Sequence, residues 1–201
     1  MQRLTHSQFL LSAGLFASGL LVVAFVAGFI TGTSPTAHLF WNTGDFALGL
    51  LATVPMLLVL AVAYLSRSKG MAAIRVFLRD EIGPLLDECR LVDMLLLALL
   101  AGLCEESLFR GFLYFWIRDW NPPLAILVSN LLFGVAHAVT PLYAVLAAFI
   151  GLYLTALVAA DTTPNLLIPI TTHTAYDFLA FLVVRWDYRR HCQAVPDEPC
   201  T

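Results

Sequence analysis

Charge is what this sequence has least of. Only 12% of its 201 residues are Asp, Glu, Lys or Arg, about half the share usual in soluble domains. With 60% apolar residues and a mean hydropathy of +0.83, the deficit sets aside every water-soluble reading and predicts a polytopic membrane protein. Lysine is nearly missing: Lys69 stands alone against ten arginines, a bias that points to a GC-rich genome and so to a bacterium. The net charge of −3 is spread along the chain, and no basic patch offers itself to nucleic acid. Cysteine is sparse. Cys89, Cys104, Cys192 and Cys200 are scattered without metal or disulfide spacing. There is no internal repeat and no H-E-x-x-H, which leaves a single domain over 1–201 without the commonest zinc-protease signature.

Long apolar runs are what the chain does have. A membrane-spanning helix needs about 20 such residues. Six segments approach this, near 9–31, 45–65, 92–117, 122–139, 142–160 and 164–185. The first is too long for a signal h-region and reads as an uncleaved span. Between the second and third, Ile74, Leu78, Ile82, Leu85 and Cys89 recur at helical spacing among charged residues. That pattern predicts an amphipathic helix on the membrane surface, kinked or split at Gly83-Pro84. The fold class is therefore all-α, a bundle of about six transmembrane helices plus one surface helix. Nine basic residues, including Arg3, Arg67, Arg75 and Arg189, fall on one side of such a bundle, and Arg118 alone falls on the other. Positive charge stays inside, so both termini are expected in the cytoplasm. The polar tail after Trp186 is expected to be loosely ordered.

Against this background the charges inside spans stand out. The third span carries Glu105, Glu106 and Arg110. Each charge at a helix centre costs roughly 2.5–3.5 kcal/mol, so these three must face protein or a wet cavity. Glu106 and Arg110 are four apart with the acid first, the favoured order for an ion pair. Glu105 lies about 100° around the helix from Glu106 and is left as the free acid. The fourth span ends in Phe133-Gly134-Val135-Ala136-His137. The sixth holds His173 and Asp177, again four apart and on one face. A carboxylate beside an imidazole fixes its tautomer or ligates a metal with it.

Three motifs in order, E-E-S-L-F-R-G at 105–111, F-G-V-A-H at 133–137 and H-T-A-Y-D at 173–177, resemble those of the CPBP family. These are the CAAX-protease and bacteriocin-processing membrane proteins, also called Abi. The resemblance covers about 95–185, the expected protease core, and includes the lead-in T-P-N-L-L-I-P at 163–169. It implies an intramembrane endopeptidase of glutamic type with no cofactor and no metal. In that mechanism Glu105 would activate a water that His137 shares. His173 and Asp177 would stabilise the oxyanion and help hold the site, and Glu106, Arg110 and Phe133 would support it. Asp177 stands where the better-known eukaryotic members have asparagine, which leaves its role open.

Two other readings compete. Glu105, His137, His173 and Asp177 are all possible zinc ligands, which would make the protein a membrane metalloprotease. A non-catalytic membrane protein that binds a peptide or confers immunity would also bury these residues. The expected partners are a membrane-anchored peptide or protein substrate and the lipid bilayer, in a bacterial inner membrane. The chain's own Pro199-Cys200-Thr201 is not a C-a-a-X box.

Overall fold

The computed structural model describes residues 5–160 and 162–194. Arg3 and the 199–201 segment lie outside these residues. Along the described chain run α1 (His6–Thr31), α2 (Thr43–Leu65), α3 (Lys69–Phe77), α4 (Gly83–Asp87), α5 (Leu91–Glu106), α6 (Phe115–Arg118), α7 (Pro122–Ala136), α8 (Pro141–Ala159) and α9 (Leu167–Ala194). Two π-helical segments, Leu78–Ile82 and Ser107–Tyr114, join α3 to α4 and α5 to α6. No strand occurs among the described residues.

Four helices, α1, α2, α8 and most of α9, are long and apolar enough to cross a membrane. The third expected span is the unbroken run of α5, the π segment and α6. The fourth is shorter than expected. α7 has 15 residues, or about 22 Å of helix against a hydrocarbon core of about 30 Å. Its ends are set locally. The Asn121 side chain accepts from the Leu124 N–H at 3.1 Å, and Pro122 takes the first turn. Thr140 and Pro141 start α8 in the same way. The outward surface is apolar. Phe29 is 89% and Ile30 76% exposed, as lipid contact requires and water would not allow.

α9 is the hub, packed by α2, α5, α8 and α4. Missing side chains allow two of these approaches. A Cβ on Gly49 of α2 would stand 2.8 Å from the Ile168 carbonyl oxygen of α9. A Cβ on Gly102 of α5 would stand 3.0 Å from that of Ile170 and would collide with the Thr174 hydroxyl. Small residues at such crossings let membrane helices meet backbone to backbone.

Two expectations need correction. The 74–90 segment is helical, and α4 packs against α9 and closes a core of Leu86, Cys89, Met94 and Val184, but its inward position differs from the one expected. Leu86 is fully buried there, and Leu85 is not. The π segment inserts one residue into the helical phase and moves the inward position on by one. It ends at Gly83, whose N–H reaches back five residues to Leu78, next to a proline that has no N–H to give. The tail after Trp186 is helical as far as it is described: α9 continues to Ala194, with Arg189 paired to Asp87, and residues 195–201 lie outside the described residues. Cys89 and Cys104 are free and buried, whereas Cys192 is disulfide-bonded, which the spacing did not indicate.

Candidate functional site

The site begins with the acids on α5. Glu106 and Arg110 are both fully buried and pair at 3.0 Å. The guanidinium spends its remaining donors on the Gly151 carbonyl at 2.8 Å, Asn130 Oδ1 at 3.4 Å and Thr155 Oγ1 at 3.4 Å. Thr155 in turn donates to Asn130 Oδ1 at 3.0 Å. Arg110 thus ties its own helix to α7 and α8 and points away from open space. Glu106 does more than the expected bracing. The Oε1 that meets Arg110 also lies 2.8 Å from Nδ1 of His173 on α9. A carboxylate oxygen already paired with a guanidinium is an acceptor, so Nδ1 carries the hydrogen. His173 is therefore held from behind, with Nε2 facing Asp177 Oδ2 at 3.4 Å.

Glu105 faces another way, as its position on the helix requires. Its Oε2 lies 3.6 Å from Nε2 of His137, too long for a direct hydrogen bond. That oxygen is buried and has no hydrogen-bond partner among the described residues. His137 is not inside the fourth span but caps its end, with φ −102° and ψ 16°. Its Nδ1 donates to the Phe133 carbonyl at 2.8 Å. A carbonyl can only accept, so in the neutral ring Nε2 presents a lone pair toward Glu105. Leaving the helix is what swings the imidazole round to meet α5.

Phe133 joins the two halves. Its ring lies 4.5 Å from His137 and 6.0 Å from His173, under the Arg110 guanidinium at 4.3 Å. The two imidazoles are thus no farther apart than those two ring distances together, inside the roughly 12 Å that one shared site allows. His137, His173 and Asp177 line a cavity of about 160 Å³ between α2, α3, α8 and α9. Glu105 does not line it and reaches the site through His137. Among the described residues, no three His, Cys, Asp or Glu side chains are grouped so as to hold a metal ion.

Sequence reasoning missed Asn130, Thr155 and the Gly151 carbonyl, which complete the Arg110 shell. It also missed Tyr143 and Tyr176, which line the cavity. Asn130 and Thr155 had a signal, polar side chains in apolar runs, Asn130 beside Ser129. The tyrosines had none, because a tyrosine in a span reads equally well as an interfacial residue.

Residues 88–179 match the family model described as type II CAAX prenyl endopeptidase Rce1-like. The match holds all seven residues of the proposed site and its support, and leaves out α1, α2, α3, α4 and the end of α9. No curated protein matches the chain, and no solved structure does.

Proposed function

On the premise that this segment belongs to the Rce1-like family, and the protein is thereby a membrane endopeptidase, we propose that it cleaves by a glutamic mechanism centred on Glu105 and His137. The observation that carries this is their 3.6 Å separation. One water touching both Glu105 Oε2 and His137 Nε2 at ordinary hydrogen-bond distance would span it. The Phe133 carbonyl keeps the lone pair of His137 aimed at that water. The water oxygen attacks the peptide carbonyl carbon as its proton passes to Glu105. His173, when it carries both protons, donates from Nε2 to the developing oxyanion, and Asp177 orients it. Collapse of the tetrahedral centre breaks the C–N bond, and Glu105 returns the proton to the leaving amine. Glu106 and Arg110 hold His173 and the helix crossing in register.

The substrate is a membrane-associated peptide or protein, cut near a membrane-proximal or C-terminal segment. The family's description names prenylated CAAX ends. For a bacterial chain a C-terminal sorting helix or a bacteriocin precursor suits the same site. Glu105→Gln tests the mechanism, since it keeps the shape and removes the base. Removing a general base is expected to cost 10²–10⁴-fold in kcat, as order of magnitude, with insertion and folding unchanged. Full turnover by well-folded Glu105→Gln protein would sink the assignment.

A further inference from the structure

Beyond the residues of the proposed chemistry, four side chains that can donate a hydrogen bond line the cavity: Tyr64, Arg75, Tyr143 and Tyr176. Two of the four are set aside by their surroundings. Arg75 caps the end of α2, with Nη1 donating to the Ser66 carbonyl at 2.9 Å. The Tyr64 hydroxyl is buried, without a hydrogen-bond partner among the described residues, and so does not open on the cavity. The hydroxyls of Tyr143 and Tyr176 also make no hydrogen bond among those residues, but neither is sealed off in this way. The fold decides between these two.

α7 and α8 form an antiparallel hairpin. Its turn begins at His137, where the chain leaves α7, and ends at Thr140, whose hydroxyl accepts from the Tyr143 N–H at 3.1 Å. The two helices meet closely: a Cβ on Gly134 would stand 2.6 Å from the Ala144 carbonyl oxygen. On α8, positions 151, 147 and 143 follow at steps of four and form one stripe. The Gly151 carbonyl accepts from the Arg110 guanidinium, and Ala147 packs with Phe133. Tyr143 is one turn nearer the hairpin turn than Ala147, and His137 is one turn nearer it than Phe133. Tyr143 is therefore level with His137, on the stripe that faces the site. His173 and Asp177 line the same cavity from α9, and the charges of Asp177 and Glu105 both act on the Tyr143 hydroxyl. Tyr176 shares Asp177 with it and otherwise interacts with tyrosines, Tyr143 and Tyr64.

The proposed chemistry is short of donors. The tetrahedral centre puts a negative charge on the former carbonyl oxygen, and Nε2 of His173 is the one donor so far assigned to it. An ionised Asp177 can only accept. A phenol keeps its proton at neutral pH and can donate without giving it up. We propose that Tyr143 is a further catalytic residue, donating its phenolic hydrogen bond to the scissile carbonyl oxygen as charge develops there. No proton leaves it, and the bond is stronger to the oxyanion than to the ground-state carbonyl. The attacked carbonyl would then lie between His137, His173 and Tyr143. This deepens the endopeptidase reading and rests on it.

The test uses the full-length protein in phosphatidylcholine vesicles and a quenched membrane-anchored peptide that it cleaves. Tyr143→Phe removes only a hydroxyl that makes no hydrogen bond among the described residues, so the melting temperature should not move. kcat is expected to fall about 10²-fold, the lower end for loss of one oxyanion donor, with KM unchanged. Affinity for the same peptide carrying a phosphinate in place of the scissile amide should fall by the same factor, because that group mimics the tetrahedral centre. Binding of the uncut peptide should be equal in Glu105→Gln and Glu105→Gln/Tyr143→Phe proteins. Tyr176→Phe should lose less kcat than Tyr143→Phe. Should Tyr143→Phe not fold, Tyr143→Leu carries the same readouts. Full kcat in folded Tyr143→Phe protein would overturn the inference and leave the protease reading standing. A raised KM with kcat kept would make Tyr143 a group that binds substrate and would also overturn it, as would a kcat loss confined to Tyr176→Phe. The phosphinate reads the donor without turnover. Loss of its affinity in Tyr143→Phe supports the inference even if Glu105 is not the base, and unchanged affinity refutes it.

Discussion

Glu106 is the residue whose replacement should be felt in two ways at once. Its Oε1 accepts from Arg110 Nη1 at 3.0 Å and from His173 Nδ1 at 2.8 Å, and neither Glu106 nor Arg110 touches solvent. Glu106→Gln keeps the oxygen and removes the charge, so the guanidinium is left uncompensated in the middle of the bundle. Breaking a buried pair in this way costs about 3–5 kcal/mol. The Gly151, Asn130 and Thr155 acceptors still hold Arg110, which places the expected loss near 3 kcal/mol. Arg110→Met strands the carboxylate instead and should cost as much or more. Removing both together leaves no buried charge, so the double variant should lose far less than the two single losses added. Reversible unfolding in mixed micelles would give the three stabilities. At about 2–4 °C per kcal/mol for a chain of this size, each single variant should melt about 6–20 °C lower. Activity of Glu106→Gln should also fall, because His173 is held by a weaker acceptor. A double-variant loss equal to the sum of the single losses would refute the claim that this is one closed pair.

Chelation of the purified protein should leave activity intact. If Zn²⁺ alone restored activity lost to a chelator, Glu105, His137, His173 and Asp177 would be ligands and the glutamic mechanism wrong. On the α1–α2 connection, burial and the nearby Arg118 guanidinium hold His38 below the usual imidazole range. The folded protein then resists protonating His38, so its contribution to stability is present above about pH 6.5 and is lost as pH falls through the lower folded value. His38→Phe, which keeps the stack on Phe115, should flatten the melting temperature between pH 7 and 5, and an unchanged slope would remove His38 from the account. Nine basic residues on one side predict cytoplasmic termini, so a cysteine placed at Arg189 should resist impermeant reagents from outside. A reducing cytoplasm disfavours the disulfide at Cys192, and the redox state of Cys192 in intact cells therefore reads the same topology independently.

How far the sequence went depended on whether a feature was local. Charge in an apolar run is a local anomaly, and it led to Glu105, Glu106 and Arg110 without any fold. The separation of the two acids by one helical step needed only α geometry up to Glu106, and α5 keeps that geometry to its last residue. The link from Glu106 to His173 was not legible, because it spans 67 positions and depends on how α5 crosses α9. Gly102 sets that crossing, and a glycine in a span announces closeness without naming the partner. Both π segments were invisible for a related reason. An inserted residue shifts the phase of the helix beyond it but leaves composition untouched, so Leu85 read as inward where Leu86 is. At 107–114 the same device comes directly after Glu106, and it carries Arg110 on a turn wider than 3.6 residues. The contacts of Arg110 to Thr155, Asn130 and Gly151 therefore belong to a backbone that the motif's spacing does not describe. Arg75 was the opposite case. It was counted among the surface charges that set orientation, and only the cavity shows it facing inward.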